Sequence, residues 1–260
     1  MKIAYLSTFY PFRGGIAQFN AALYRQFAAG HETRAFTFTR QYPDILFPGK
    51  SQFVEKGDIT DKVDSIAVLD SINPFNWGKA ARKIIEFGPD LLVMKFWMPF
   101  FGPSLNSVAK KLRQAGTINI TILDNVIPHE KRPGDIFFTK RFLEANDGFI
   151  VMSNTVKNDL LKLKPGASFN YHPHPLYDHF GARVDKTEAR KTLGIPEDKK
   201  VLLFFGFIRG YKGLDILLRA LNMLDDSYAL VIAGEVYGSF GEYEAIIAEN
   251  QLESRIIKHV

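Results

Sequence analysis

The sequence contains no cysteine. Disulfides and thiolate metal sites are therefore excluded, and the absence fits a reducing compartment. It lacks any run of about eighteen apolar residues, the length a membrane-spanning helix needs. The opening stretch MKIAYLSTFYPF breaks its apolar run at Ser7 and Thr8, and no small-residue cleavage site follows, so it does not read as a signal peptide. There is no GxGxxG fingerprint, and no Gly-Lys-Ser/Thr follows the glycines after the first strand. These absences count against a dehydrogenase and an ordinary nucleoside triphosphatase. Repeats and low-complexity tails are missing too. A soluble cytoplasmic protein is the expectation, with no nucleic-acid partner.

What is present is a chain of 260 residues, 46% of them hydrophobic, enough for one large or two modest cores. The net charge of +5 favours anionic partners such as nucleotides, phosphates or acidic lipid surfaces. Short apolar runs read as strands at 2–7, 33–39, 65–70, 90–96, 117–123 and 148–153. Between them lie helical periods. Residues 15–30 put Ile16, Phe19, Leu23 and Phe27 on one face, and Asn73-Pro74 starts a helix that Gly88-Pro89 ends. Further helices are expected at 103–115, 135–146 and 154–164. Strands alternating with helices mean a parallel sheet wrapped on both faces.

Residues 1–170 thus form one doubly wound domain. YHPHPLYDHFGARVD (171–185) is rich in proline and histidine, lacks periodicity, and reads as a hinge. A second alternation fills 186–260, with strands at 200–205, 228–233 and 255–259. A doubly wound domain has about five or six strands. The expectation is an incomplete second domain, its C-terminal part absent from this chain.

In open α/β sheets ligands bind at the carboxyl ends of strands, beside helix N-termini. Gly14 and Gly15 sit there after the first strand, where phosphate or a sugar hydroxyl could approach backbone amides. An ordinary flexible loop would use the same glycines. Asp124, Asn125, His129 and Glu130 follow the fifth strand. His129 could orient a sugar hydroxyl or stabilise charge, or be a surface histidine. In GFIRGYKGLD, after the strand VLLFF, Arg209 and Lys212 stand between strand and helix. Two cations there suit a diphosphate, the arginine by bidentate contacts and the lysine as a point charge. A solvated loop is the plainer alternative. His172, His174 and His179 suggest a metal site, but no carboxylate arrangement completes it, and a hinge fits better. Trp97, Phe100 and Phe101 read as core or acceptor-cleft packing. FFTKRF (137–142) reads as a solvated helix face or a surface for a lipid acceptor or membrane.

YPFRGGIAQF, NVIPHE, HPLYDHF, ARKTLGIPEDKKVLLFFG and VLLFFGFIRGYKGLDILLRAL together resemble the group 1 glycosyltransferases, along nearly the whole chain and in order. The resemblance implies the GT-B fold, two facing Rossmann-like domains, with the acceptor on the first and a nucleotide-diphosphate sugar on the second. It implies hexosyl transfer with retention to a glycan or lipid-linked acceptor, in cell-surface polysaccharide synthesis. It also implies no metal or other cofactor, because basic side chains and helix dipoles take over that task. By the same resemblance Gly14, Gly15, Arg209 and Lys212 hold the donor diphosphate, and His129 is the active-site histidine. A peripheral position at the inner membrane face is compatible with it. Two departures stand out. Phe207 occupies the place where many members carry arginine. The family's paired glutamates fall beyond residue 260, so this chain alone is expected to show little or no transfer. A GT-B sugar-nucleotide epimerase and a non-catalytic binding module are the alternatives.

Overall fold

The computed structural model describes residues 1–43, 51–55, 61–128, 132–176 and 181–260. Among these, the first unit runs to residue 176 and the second begins after it. The first unit contains β1 (Lys2–Leu6), α1 (Gly15–Gly30), β2 (Glu32–Arg40), β3 (Ser65–Asp70), α2 (Pro74–Ile85), β4 (Leu91–Phe96) and α3 (Gly102–Gln114). It continues with β5 (Ile118–Leu123), α4 (Asp135–Glu144), β6 (Gly148–Val151), α5 (Asn154–Leu163) and β7 (Phe169–Tyr171). The strands form one parallel sheet in the order β3-β2-β1-β4-β5-β6-β7. The expected α/β doubly wound architecture is therefore present.

Helices cover both faces of this sheet, so its central strands are apolar without alternation. In β4, LLVMKF, five of the six residues are buried. Ala80, Ile84, Leu105, Val108, Leu112 and Phe142 from α2, α3 and α4 pack on one face with Leu6, Phe36 and Met94. Phe19 of α1 packs on the other with Ile3, Tyr5, Val93 and Ile122. The aromatic group after β4 is core: Phe101 is fully buried, its ring 4.4 Å from that of Trp97. Asn119 of β5 is also fully buried and donates through Nδ2 to the carbonyls of Ala109 (2.7 Å) and Ala145 (3.1 Å). It therefore joins the sheet to α3 and to the end of α4.

The sequence reading put residues 169–171 outside any strand, but they form β7 on the sheet edge. FNY is too short to show alternation, and its pairing with β6 supplies the order.

The turn from β3 into α2 is organised by Asp70. Its carboxylate accepts from Arg40 at 2.5 and 3.2 Å and from the amides of Ile72 (3.1 Å) and Asn73 (3.2 Å). Burial works against the charge, but Arg40 and the two amides outweigh it, and the carboxyl group titrates below its ordinary range. A carboxylate with a depressed folded-state pKa stabilises the fold fully above its unfolded pKa. That contribution disappears as pH falls through the folded value. Asp70→Asn is therefore expected to lose about 1.5 kcal/mol near neutral pH. Urea unfolding at stepwise lower pH should show its stability converging on that of the wild type. A constant gap down to the most acid point would refute the assignment.

The second unit contains α6 (Lys186–Thr192), β8 (Lys200–Phe205), α7 (Leu214–Leu221), β9 (Tyr228–Ala233), α8 (Gly241–Glu249) and β10 (Ile256–His259). Its parallel sheet has the order β10-β9-β8. Leu214, Leu218 and Leu221 of α7 and Ile246 and Ile247 of α8 bury one face with Leu230 and Ile232. Phe205, at the end of β8, remains 82% exposed.

Candidate functional site

At the carboxyl edge of the first sheet, the loop from β1 to α1 is fixed from below. Tyr5 Oη donates to Asn20 Oδ1 (2.6 Å), and Asn20 Nδ2 donates to Ser7 Oγ and the Thr8 carbonyl, both at 2.8 Å. Gly14 caps α1 with φ +105°, a conformation that L side chains rarely adopt. It is exposed, as is Gly15, and a Cβ built at Gly14 would meet nothing within 4 Å. Open space over the first amides of a helix suits an anion or a hydroxyl oxygen.

Beneath this loop lies a buried ion pair. The side chain of Lys95, from β4, is 2% exposed, and its Nζ lies 2.7 Å from Asp124 Oδ1, just past β5. The same Nζ sits 3.6 Å from the centroid of the Phe19 ring. His174, beyond β7, tilts against that ring at 5.3 Å. Burial disfavours charge on both partners: it lowers the Lys95 pKa and raises that of Asp124. Their mutual attraction opposes both shifts, and His174 further favours the Asp124 carboxylate. The Asp124 side chain is 19% exposed, so it links a buried cation to the surface. That exposed edge can accept a hydrogen bond from a hydroxyl group.

The sequence reading named Asp124 but passed over Lys95. The available signal was a lone cation in a strand that is otherwise apolar. Such a charge must be paired when both faces of the sheet are covered. His129, which carried the catalytic expectation, lies outside the described residues, as do Glu130 and His179. Among the described residues no group of three or more His, Cys, Asp or Glu side chains could hold a metal ion.

At the carboxyl edge of the second sheet, the loops after β8 and β9 are joined by backbone pairing. Ile208 bridges to Val236; its amide donates to the Glu235 carbonyl (2.9 Å), and its own carbonyl accepts from Tyr237 (3.1 Å). Ile208 is buried, while Phe207 points outward and packs on Tyr237 with ring centroids 4.5 Å apart. Arg209 and Lys212 flank a 3₁₀ turn, Gly210–Lys212, ahead of α7. Both cations lie 5.5 Å from the Tyr211 ring centroid, and Arg209 lies 5.7 Å from that of Tyr237. The structure thus gathers Arg209 and Lys212 around one tyrosine at the start of a helix. A nearby cleft of about 620 Å³ is lined by Gly210 but also by Asp215 and Glu242, whose charges disfavour a diphosphate there.

Parallel sheets with crossover helices and polar carboxyl edges define both units as Rossmann-like α/β modules. Residues 185–259 match the family model of the glycosyl transferases group 1. Over that stretch the second unit is similar to the group 1 glycosyltransferases. D-inositol 3-phosphate glycosyltransferase of Xylanimonas cellulosilytica is 26% identical over 140 residues, covering 48% of this chain and 33% of that protein. The chain thus spans about a third of that curated relative's length. HepE of Anabaena, solved in complex with UDP, superposes with a TM-score of 0.70 at 14% identity, over 99% of this chain and 68% of that one. UDP-N-acetylglucosamine 2-epimerase from Rickettsia bellii superposes at 0.56 with 12% identity, over 100% of this chain and 68% of that one. Likeness at these identities establishes the fold, which is GT-B.

Proposed function

We propose that this chain takes part in hexosyl transfer from a nucleotide-diphosphate sugar to a glycan or lipid-linked acceptor, with retention of anomeric configuration. The observation that carries the reading is the pair Arg209 and Lys212, held at a strand end and helix start within the stretch that matches the family. Departure of a nucleoside diphosphate develops charge on its phosphate oxygens, and preformed cations stabilise that charge as it forms. Under this proposal the cations, with Gly14 and Gly15, replace a metal ion. The first unit is then the acceptor side, the second the donor side, and 171–185 the hinge. His129 serves the reacting centre, and Asp124 accepts a hydrogen bond from a substrate hydroxyl. Cell-surface polysaccharide synthesis at the cytoplasmic side of a membrane completes the proposal.

Calorimetry with UDP, GDP and ADP and their glucose conjugates tests the clamp. Charge-assisted hydrogen bonds contribute about 1.5–3 kcal/mol each. Arg209→Ala and Lys212→Ala should therefore each weaken nucleotide binding by roughly 10–100-fold. Wild-type affinity in both variants would remove the clamp. Sugar-nucleotide isomerisation without any acceptor would favour an epimerase instead.

A further inference from the structure

α2, α3 and α4 lie side by side over one face of the first sheet. Their exposed residues include Lys79, Arg82 and Lys83 on α2, Lys110, Lys111 and Arg113 on α3, and Lys140 and Arg141 on α4. The three helices carry only two acids, Asp135 and Glu144. Arg113 is neutralised locally by Asp147 at 3.0 Å. Apolar rings stand among the remaining cations. Phe137 and Phe138 are 56% and 40% exposed, and Arg141 lies 5.3 Å from the Phe137 centroid. Between the helices is a cleft of about 530 Å³ lined by Trp77, Lys110, Lys111, Phe137, Phe138 and Arg141.

We propose that this face docks on an anionic phospholipid bilayer, with lipid phosphates meeting Lys110, Lys111 and Arg141 and the Phe137 ring entering the headgroup boundary. Charge complementarity selects the partner: a broad field of cations with two acids matches a negative surface rather than a point ligand. Exposed aromatic rings beside cations suit the bilayer interface, where an apolar body and a polar rim are both solvated. A polynucleotide fits less well. Phe137 and Phe138 meet at 68°, so they cannot stack on two successive parallel bases. The inference deepens the proposal of a lipid-linked acceptor by naming the surface that would bring the first unit to it, and it is tested without turnover.

The test is co-sedimentation of the whole chain with vesicles of phosphatidylcholine alone and of phosphatidylcholine mixed equally with phosphatidylglycerol. Binding is expected only to the mixed vesicles, and it should weaken as salt rises. Lys110→Glu/Lys111→Glu/Arg141→Glu should reduce partitioning at least tenfold, and Phe137→Ser severalfold, with unchanged circular dichroism. All four positions are solvent-exposed, so these variants should fold. The inference is overturned if the triple variant binds like wild type, or if both vesicle types bind equally. It is also overturned if soluble glycerol phosphate or single-stranded RNA at equal phosphate displaces the chain. UDP calorimetry on the same preparations separates the two readings. UDP binding without vesicle binding sinks this surface alone, and vesicle binding without UDP binding sinks the transferase reading alone.

Discussion

Asp124→Ala should lower folding stability by about 3 kcal/mol and the melting temperature by about 6–12 °C. The substitution leaves Lys95, whose side chain is 2% exposed, with the Phe19 ring as its nearest compensating partner. Breaking a buried pair from one side typically costs about 3–5 kcal/mol, because the surviving charge has lost its counterion without regaining water. The lower end applies here, since the rim of Asp124 reaches solvent and water can enter the gap. The double variant Lys95→Met/Asp124→Leu separates pair energy from packing. It removes both desolvation penalties and should melt at or above the wild type. Thermal melts of the three proteins make the check. If Asp124→Ala melts with the wild type, the Lys95–Asp124 pair does not contribute the energy of a buried ion pair.

Gly234→Ala should be the most damaging change in the second unit, at about 4 kcal/mol. A Cβ built there would lie 2.1 Å from the Gly206 carbonyl oxygen and 2.7 Å from its carbonyl carbon. These are backbone atoms, which no side-chain rotation can move. Gly234 also has φ +146°, so strain adds to the clash. The damage should be local. Hydrogen exchange followed by mass spectrometry should show peptides covering β8 and β9 losing protection while those of β1 and β4 keep theirs. Undisturbed β8 and β9 would mean that the two loops can part without loss. By contrast, a Cβ at Gly206 meets nothing within 4 Å, so that glycine is required by its φ of +115° alone.

These two sites show what the sequence could and could not reveal. Strand and helix periods were legible because parallel strands covered on both faces must be apolar runs, and KIAYL and LLVMKF read that way directly. The position of Arg209 and Lys212 between strand and helix was legible because they interrupt an apolar-to-helical transition with charge. Tyr237 was not, because only the bridge between Ile208 and Val236 brings it to Arg209. Lys95 was hidden for a related reason: its partner comes from the next strand, and its aromatic neighbour from a helix on the covered face. The basic helical face was visible only in part. The run at 137–142 showed cations and rings, but their union with α2 and α3 is a property of packing order.

Asn119 gives that packing order a mechanical meaning. One amide group fastens the middle helix and the end of its neighbour to the strand between them. Pressed against a lipid plane, the helices would shift as a plate, and the carboxyl edge of the same sheet would stay at a set height above it. Because β5 runs within the sheet, parallel to that plate, one helix diameter, about 10–12 Å, sets how far from the bilayer the proposed acceptor's hydroxyl must stand to reach Asp124.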